Sequence, residues 1–213
     1  MNPIQNIAKL FSKSSMEHPS VESYDAGTIH LSTGKVVACD PLTTQDMQPF
    51  EMNFPKGDFP VVVHREKDSH CIAYVEIAFS DAMVTAWQLA TTKGQDIKDL
   101  KSNEIFGYPV QSGMGCLMDW ETQDALNALE QQLYKEKGEE FMGIYEEFFH
   151  QHFFDDNGAI DQYASLVPNE QLKNNIIAFE TGYGEGFYAS YIGLDVQEQP
   201  VKLISEFIEI KVD

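Results

Sequence analysis

Asp40, Asp119 and Glu185 each end or interrupt an apolar segment. A carboxylate so placed is the residue type that general acid–base or glycosidase-like chemistry requires. Asp40 precedes Pro41 and Asp119 precedes a helical pattern, so turn formation and helix capping compete with catalysis for both. Gly182, Gly184 and Gly186 invite a phosphate-loop reading, but they are spaced Gly-x-Gly-x-Gly and no helix pattern follows to offer its N-terminal amides. Glycines with this period mark a bend or bulge where another chain segment packs closely. Asp155-x-Asn157-Gly158 has its glycine at the fourth position of a calcium loop, and Leu166 stands where a bidentate Glu is needed, so this is a turn. His150 and His152 are two apart on a helical pattern and face different directions. His64 and His70 flank a hairpin turn and could approach one another across it. No Ser/His/acid or Cys/His order with a recognisable local signature is present, and no metal or cofactor is expected.

The elements that must position these residues are strands at both chain ends with helices between. Residues 28–32 and 35–39 alternate about Thr33-Gly34 and read as one hairpin; residues 61–65 and 71–79 read as another. Residues 83–90 extend the sheet or start a helix, and 91–103 form a loop with at most one helical turn. A helix runs from the N-cap Asp119 to about Lys137, closed by Gly138. A second, from Glu139 to about Phe153, places Phe141, Ile144, Tyr145, Phe148, Phe149 and His152 on one side and Glu139, Glu140, Glu146 and Glu147 on the other. Strand patterns return at 176–179, 186–194 and 201–210. The expected fold is therefore α+β: a mostly antiparallel twisted sheet or sandwich carrying a helix pair at about 120–153. Residues 1–23 form an arm or short helix, and 24–213 a single β-rich domain.

Charge narrows the partners. The formal net charge of −20 is unevenly placed: residues 1–100 carry 13 acids and 8 bases, residues 101–213 carry 21 and 6. Phosphate neutralisation drives nucleic-acid binding, and with Arg65 as its single arginine the chain suits neither nucleic acid nor an anionic membrane. Apolar runs fall short of the roughly 20 residues of a membrane-spanning helix. The first 20 residues have no continuous apolar stretch of a secretory leader. Cys39, Cys71 and Cys116 are odd in number, far apart in sequence and set among apolar neighbours, as buried thiols in a reducing cytoplasm would be. Trp87 and Trp120 read as packing residues.

Three ordered stretches carry a resemblance: Gly27 with Leu31–Leu42, Ser112–Asp119, and Phe179–Tyr188 followed by Tyr191–Asp195. Together, over about residues 24–210, they resemble the bacterial domain-of-unknown-function 4241 family, in which Asp is common where this chain has Glu185. The resemblance implies a compact β-rich domain and transfers no catalytic residue.

Two function classes follow. The first is a non-enzymatic binding domain whose acidic face, with Glu139, Glu140, Glu146 and Glu147, captures a basic protein, as a cytosolic immunity protein or antitoxin captures a toxin. The second is a hydrolase that uses Asp119 with Glu185 or Asp40.

Overall fold

The computed structural model describes residues 3–13, 15–44, 47–101 and 104–212. Two antiparallel sheets pack face to face. The larger orders β1 (Val21–Leu31), β3 (Gly57–Glu66), β4 (Ile72–Ala78), β13 (Pro200–Glu206), β12 (Gly186–Leu194) and β5 (Ala86–Leu89), with β6 (Tyr108–Val110) pairing the first residues of β12. The smaller orders β10 (Tyr163–Leu166), β11 (Ile176–Glu180), β7 (Met114–Asp119) and β2 (Val36–Cys39). The fold is α+β and β-rich. Among the described residues no helix is long and apolar enough to cross a membrane.

Period-two alternation sorts side chains between inner and outer faces. Leu31, Val61, Val63, Val75, Ile77, Ile192 and Leu203 of the larger sheet meet Val36, Ala38, Leu117, Ile177 and Phe179 of the smaller in one core. Both outer faces are also covered. On the larger sheet Tyr74, Leu89, Tyr191 and Ile204 lie under Ile7, Leu10 and Phe11, from α1 (Pro3–Leu10) and the residue after it, and under Ile208 and Ile210 of the C-terminal tail. On the smaller sheet Val37, Cys39, Cys116, Met118, Ile176 and Ala178 lie under Leu126, Ile144, Phe149 and Phe153. The central strands are thus buried on both sides, which is why Val36–Cys39 and Met114–Asp119 are apolar at nearly every position.

The 61–65/71–79 hairpin forms as β3 and β4, residues 86–89 extend the sheet, and the loop at 91–101 holds one 3₁₀ turn, Ile97–Asp99; residues 102 and 103 of that loop, and 1, 2 and 14 of the arm, lie outside the described residues. The hairpin expected at 28–39 does not form. β1 pairs β3, while β2 pairs β7 in the other sheet. Thr33-Gly34 carries the chain between sheets because each flank has a stronger partner there. The Thr33 amide donates to the Asp119 carboxylate at 2.9 Å and the Phe54 amide to the Gly34 carbonyl at 2.8 Å. A Cβ on Gly34, at φ 74°, would collide with the Phe54 carbonyl.

The first helix, α2 (Trp120–Lys137), starts and ends where its caps place it: the Asp119 side chain accepts from the Glu121 amide, and Gly138 follows at φ 56°. The second is not one helix. A 3₁₀ turn at Gly138–Glu140 is followed by a break at Gly143, φ 106°, a π-helical turn at Tyr145–Phe149, and the short α3 (His150–Phe153). The wider π turn shifts the buried face to Ile144, Phe149 and Phe153, spaced five and four apart, and leaves Phe148 half-buried. α3 ends in a small hairpin of β8 (Phe154–Asp155) and β9 (Gly158–Ala159), turned at the expected Asp155–Gly158.

Candidate functional site

A cleft of about 620 Å³ opens where β7 begins and β11 ends, at the residues pairing Met114 with Glu180. All three motif stretches reach it: Leu42 from the first, Ser112, Gly113 and Met114 from the second, and Glu180–Gly184 from the third. Tyr145 from the π turn, Phe153 and Phe154 beyond it, and Cys71 ahead of β4 complete the lining.

Its floor is held by backbone contacts. The Thr181 amide donates to the Gly113 carbonyl at 2.9 Å. The Thr181 hydroxyl lies 3.0 Å from that same oxygen and 2.7 Å from the Gly184 carbonyl, which also accepts from the Tyr188 hydroxyl at 2.7 Å. Gly182 takes φ 45°, and a Cβ there would press on Phe207. The glycine cluster therefore makes a tight corner leading into β12 rather than a helix-borne phosphate loop.

Asp40 reaches the cleft indirectly. It is buried, and its carboxylate accepts from the amides of Leu42 at 2.9 Å, Gln111 at 3.0 Å and Ser112 at 2.8 Å, so it fixes the turn that presents Ser112. Asp119 is buried at the other end of the β2–β7 pair, where it faces Val36 and accepts from Thr33, Ser32 and Glu121. Four strand residues, about 13 Å, separate the two. Glu185 is exposed beyond the cleft lining. The three carboxylates are not brought together, and nothing in their placement favours joint catalysis.

Glu139, Glu140 and Glu146 are exposed, the first two on the 3₁₀ turn and the third on the π turn. Glu147 differs: it is half-buried against Lys137, whose ammonium bonds it and holds its carboxyl below the usual range. The four acids do not share one continuous helical face.

Among the described residues the charged side chain that lines the cleft is Glu180, half-buried, which accepts from Gln162 Nε2 at 3.0 Å. Gln162 Oε1 is buried and has no partner among the described residues. Burial, with the nearby charges of Glu146 and Glu180, pushes the Tyr145 hydroxyl up and keeps it protonated. Tyr183 is exposed at the rim and leans toward Glu66, 3.5 Å from its carboxylate. A carboxylate between aromatic rings can hold a cation by charge and by ring quadrupole together. Glu180 and Tyr145 were not singled out from sequence; the available signal was that Glu180 lies inside the third motif stretch.

The histidines singled out from the sequence stand apart from one another. His150 stacks on Phe154, its ring centroid 5.4 Å away, and His152 is exposed. His70 is exposed at φ 59° while His64 is buried, so the two do not meet. Among the described residues no three His, Cys, Asp or Glu side chains group as ligands. Cys39 and Cys116, far apart in sequence, are cross-strand partners with sulfurs 3.6 Å apart. Burial first, then the contact with Cys39, pushes the Cys116 thiol well up.

A family model described as "Protein of unknown function (DUF4241)" matches residues 29–205, and with them every motif stretch at the cleft except Gly27. The chain belongs to this family. The family model ends within β13, so α1 and the C-terminal tail that cover the larger sheet lie outside the match. No curated protein and no solved structure matches the chain.

Proposed function

We propose that the protein is a binding domain that captures a basic protein, and that a lysine or arginine side chain of that partner enters the cleft to meet Glu180. The observation that carries this reading is the lining itself: one carboxylate among Tyr145, Phe153, Phe154 and Tyr183, in a chain of net charge −20. An ammonium or guanidinium over an aromatic face gains about 0.5–2 kcal/mol, and a hydrogen bond to a charged group about 1.5–3 kcal/mol. Exposed Glu139, Glu140 and Glu146 supply steering toward a cationic surface, which acts on association rate and is screened by salt. An immunity protein or antitoxin facing a basic toxin is the form of this reading that the charge fits.

The test is binding to a panel of lysine- and arginine-bearing peptides, with glutamine-substituted copies as controls. Basic peptides are expected to bind, and Glu180→Gln to weaken them about 10-fold or more. Equal binding of the neutral copies, or binding unmoved by Glu180→Gln, removes the cleft as a cation site.

A further inference from the structure

A row of polar side chains crosses four strands of the larger sheet's outer face. Ser23 on β1 and His64 on β3 are direct cross-strand partners, and the Ser23 hydroxyl lies 2.9 Å from His64 Nδ1. His64 Nε2 lies 3.0 Å from Glu76 Oε2 on β4, whose other oxygen accepts from Lys202 Nζ on β13 at 2.5 Å. The register makes this row possible. Glu76 pairs with Val62 and Ile204, so His64 and Lys202 are its diagonal neighbours on either side.

Burial is graded along the row. His64, Glu76 and Lys202 are 1%, 3% and 4% exposed, whereas Ser23 is open to solvent. Phe11 covers the imidazole edge-on, its ring centroid 5.4 Å away. Burial by itself raises the Glu76 carboxyl, but the hydrogen bond from His64 and the charge of Lys202 outweigh it and hold the group below its usual range. An ionised Glu76 takes a proton-bearing Nε2 as its partner. The other nitrogen of a neutral ring is then left with a lone pair toward the Ser23 hydroxyl.

We propose that Ser23 is an activated nucleophile that accepts an acyl or phosphonyl group from a reactive ester, with His64 as its general base and Glu76 as a positioning residue. With an ester R–CO–OR′, Ser23 Oγ bonds to the carbonyl carbon as its proton passes to Nδ1. The C–OR′ bond then breaks and the leaving oxygen takes that proton away as R′OH. Water repeats the two transfers and releases RCOOH. The ring nitrogens serve in the opposite sense to the serine-protease triad, which a cross-strand base permits because Nδ1 faces the neighbouring strand. This site is independent of the cleft, and neither reading requires the other.

The probe is an alkyl fluorophosphonate, which phosphonylates serine with loss of fluoride, read by intact mass and peptide mapping on the full chain. Ser80 is the internal control, since it is exposed and its hydroxyl oxygen accepts from the Ala82 amide, a contact that draws no proton from it. Labelling at Ser23 is expected to be at least about 100-fold faster than at Ser80, the scale of general-base assistance. Ser23→Ala should abolish the adduct without moving the melting temperature. His64→Gln should bring Ser23 down to the Ser80 rate. Glu76→Gln combined with Lys202→Gln, which leaves no charge unpaired, should slow Ser23 alone, and Glu76→Asp should restore part of the rate. Equal labelling of Ser23 and Ser80 in the unmodified protein overturns the proposal, and that ratio needs no variant to fold.

Discussion

The two sheets bury their outer faces by different chemistry. The smaller sheet sits under helical turns through aliphatic, aromatic and thiol groups, with Phe149 and Phe153 filling the layer. The larger sheet sits under α1 and the C-terminal tail, and that cover encloses ionisable groups: the His64–Glu76–Lys202 row and, at the next pair along β13 and β4, Glu206 opposite Tyr74. Apolar burial is indifferent to pH and depends on shape. Charged burial is conditional, since each group must find a counter-charge or lose its own. The contrast extends to two carboxylates on one face. Glu76 has a cation and an imidazole, whereas Glu206 has Tyr191, whose hydroxyl lies 3.3 Å away, and an Oε1 with no partner among the described residues.

Two substitutions probe the two faces at their strongest points. Phe149→Ala opens a cavity under the π turn and should cost about 3–5 kcal/mol in urea unfolding, with the same loss at every pH between 5 and 8. Phe148→Ala, one residue away on the half-buried side, should cost clearly less; equal losses would mean that the π register is not the one holding the helix down. On the other face, Lys202→Met leaves Glu76 without its cation and should cost about 3–5 kcal/mol. A Lys202→Met loss below about 1 kcal/mol would erase the distinction between the faces, because the row would then be carrying no net charge pairing.

The uneven legibility of the fold follows the same division. Helix α2 was readable to the residue because its caps are local: Asp119 and Gly138 act on backbone within two turns of themselves. The β3–β4 hairpin was readable because its turn is short. The partnership of β2 with β7 was not, since Val-Val-Ala-Cys is buried on both faces and shows no alternation from which to assign a side. The same stretch beside Thr33-Gly34 therefore looked like half of a hairpin. The second helix differs for another reason: a π turn does not keep a period of 3.6, so Phe148 and His152, which that period sets on the apolar side together with Phe149, lie half-buried and exposed while Phe149 alone of the three is buried. Of the acids chosen from sequence, Asp40 reaches the cleft only indirectly, through the Leu42 and Ser112 amides. Ser23, His64, Glu76 and Lys202 stand 41, 12 and 126 positions apart in succession, so only strand register could have joined them.

The smallest expected effect lies in Glu206, and it has a sign opposite to that of Glu76. Burial first, and then the charge of Glu209, push the Glu206 carboxyl up to about 7 from 4.5, against the hydrogen bond from Tyr191; Tyr74 is the other titratable group facing it. A raised carboxyl holds its proton more tightly in the folded chain than in the unfolded one, so the stability this confers is complete below about 4.5 and is lost as pH rises through about 7. Glu76, lowered from the same 4.5, contributes stability above that value which is lost as pH falls through its folded value. The two windows do not overlap. Glu206→Gln keeps a partner for the Tyr191 hydroxyl and removes the titration. Unfolding by urea should then show wild type and variant alike at pH 5, with the variant ahead at pH 8 by an amount on the order of 2 kcal/mol, taken below the full linkage figure because Glu206 is only partly buried. Parallel stability curves from pH 5 to 8 would mean that Glu206 is already ionised beneath the tail, and that the larger sheet's outer face is wetter than its side-chain packing shows.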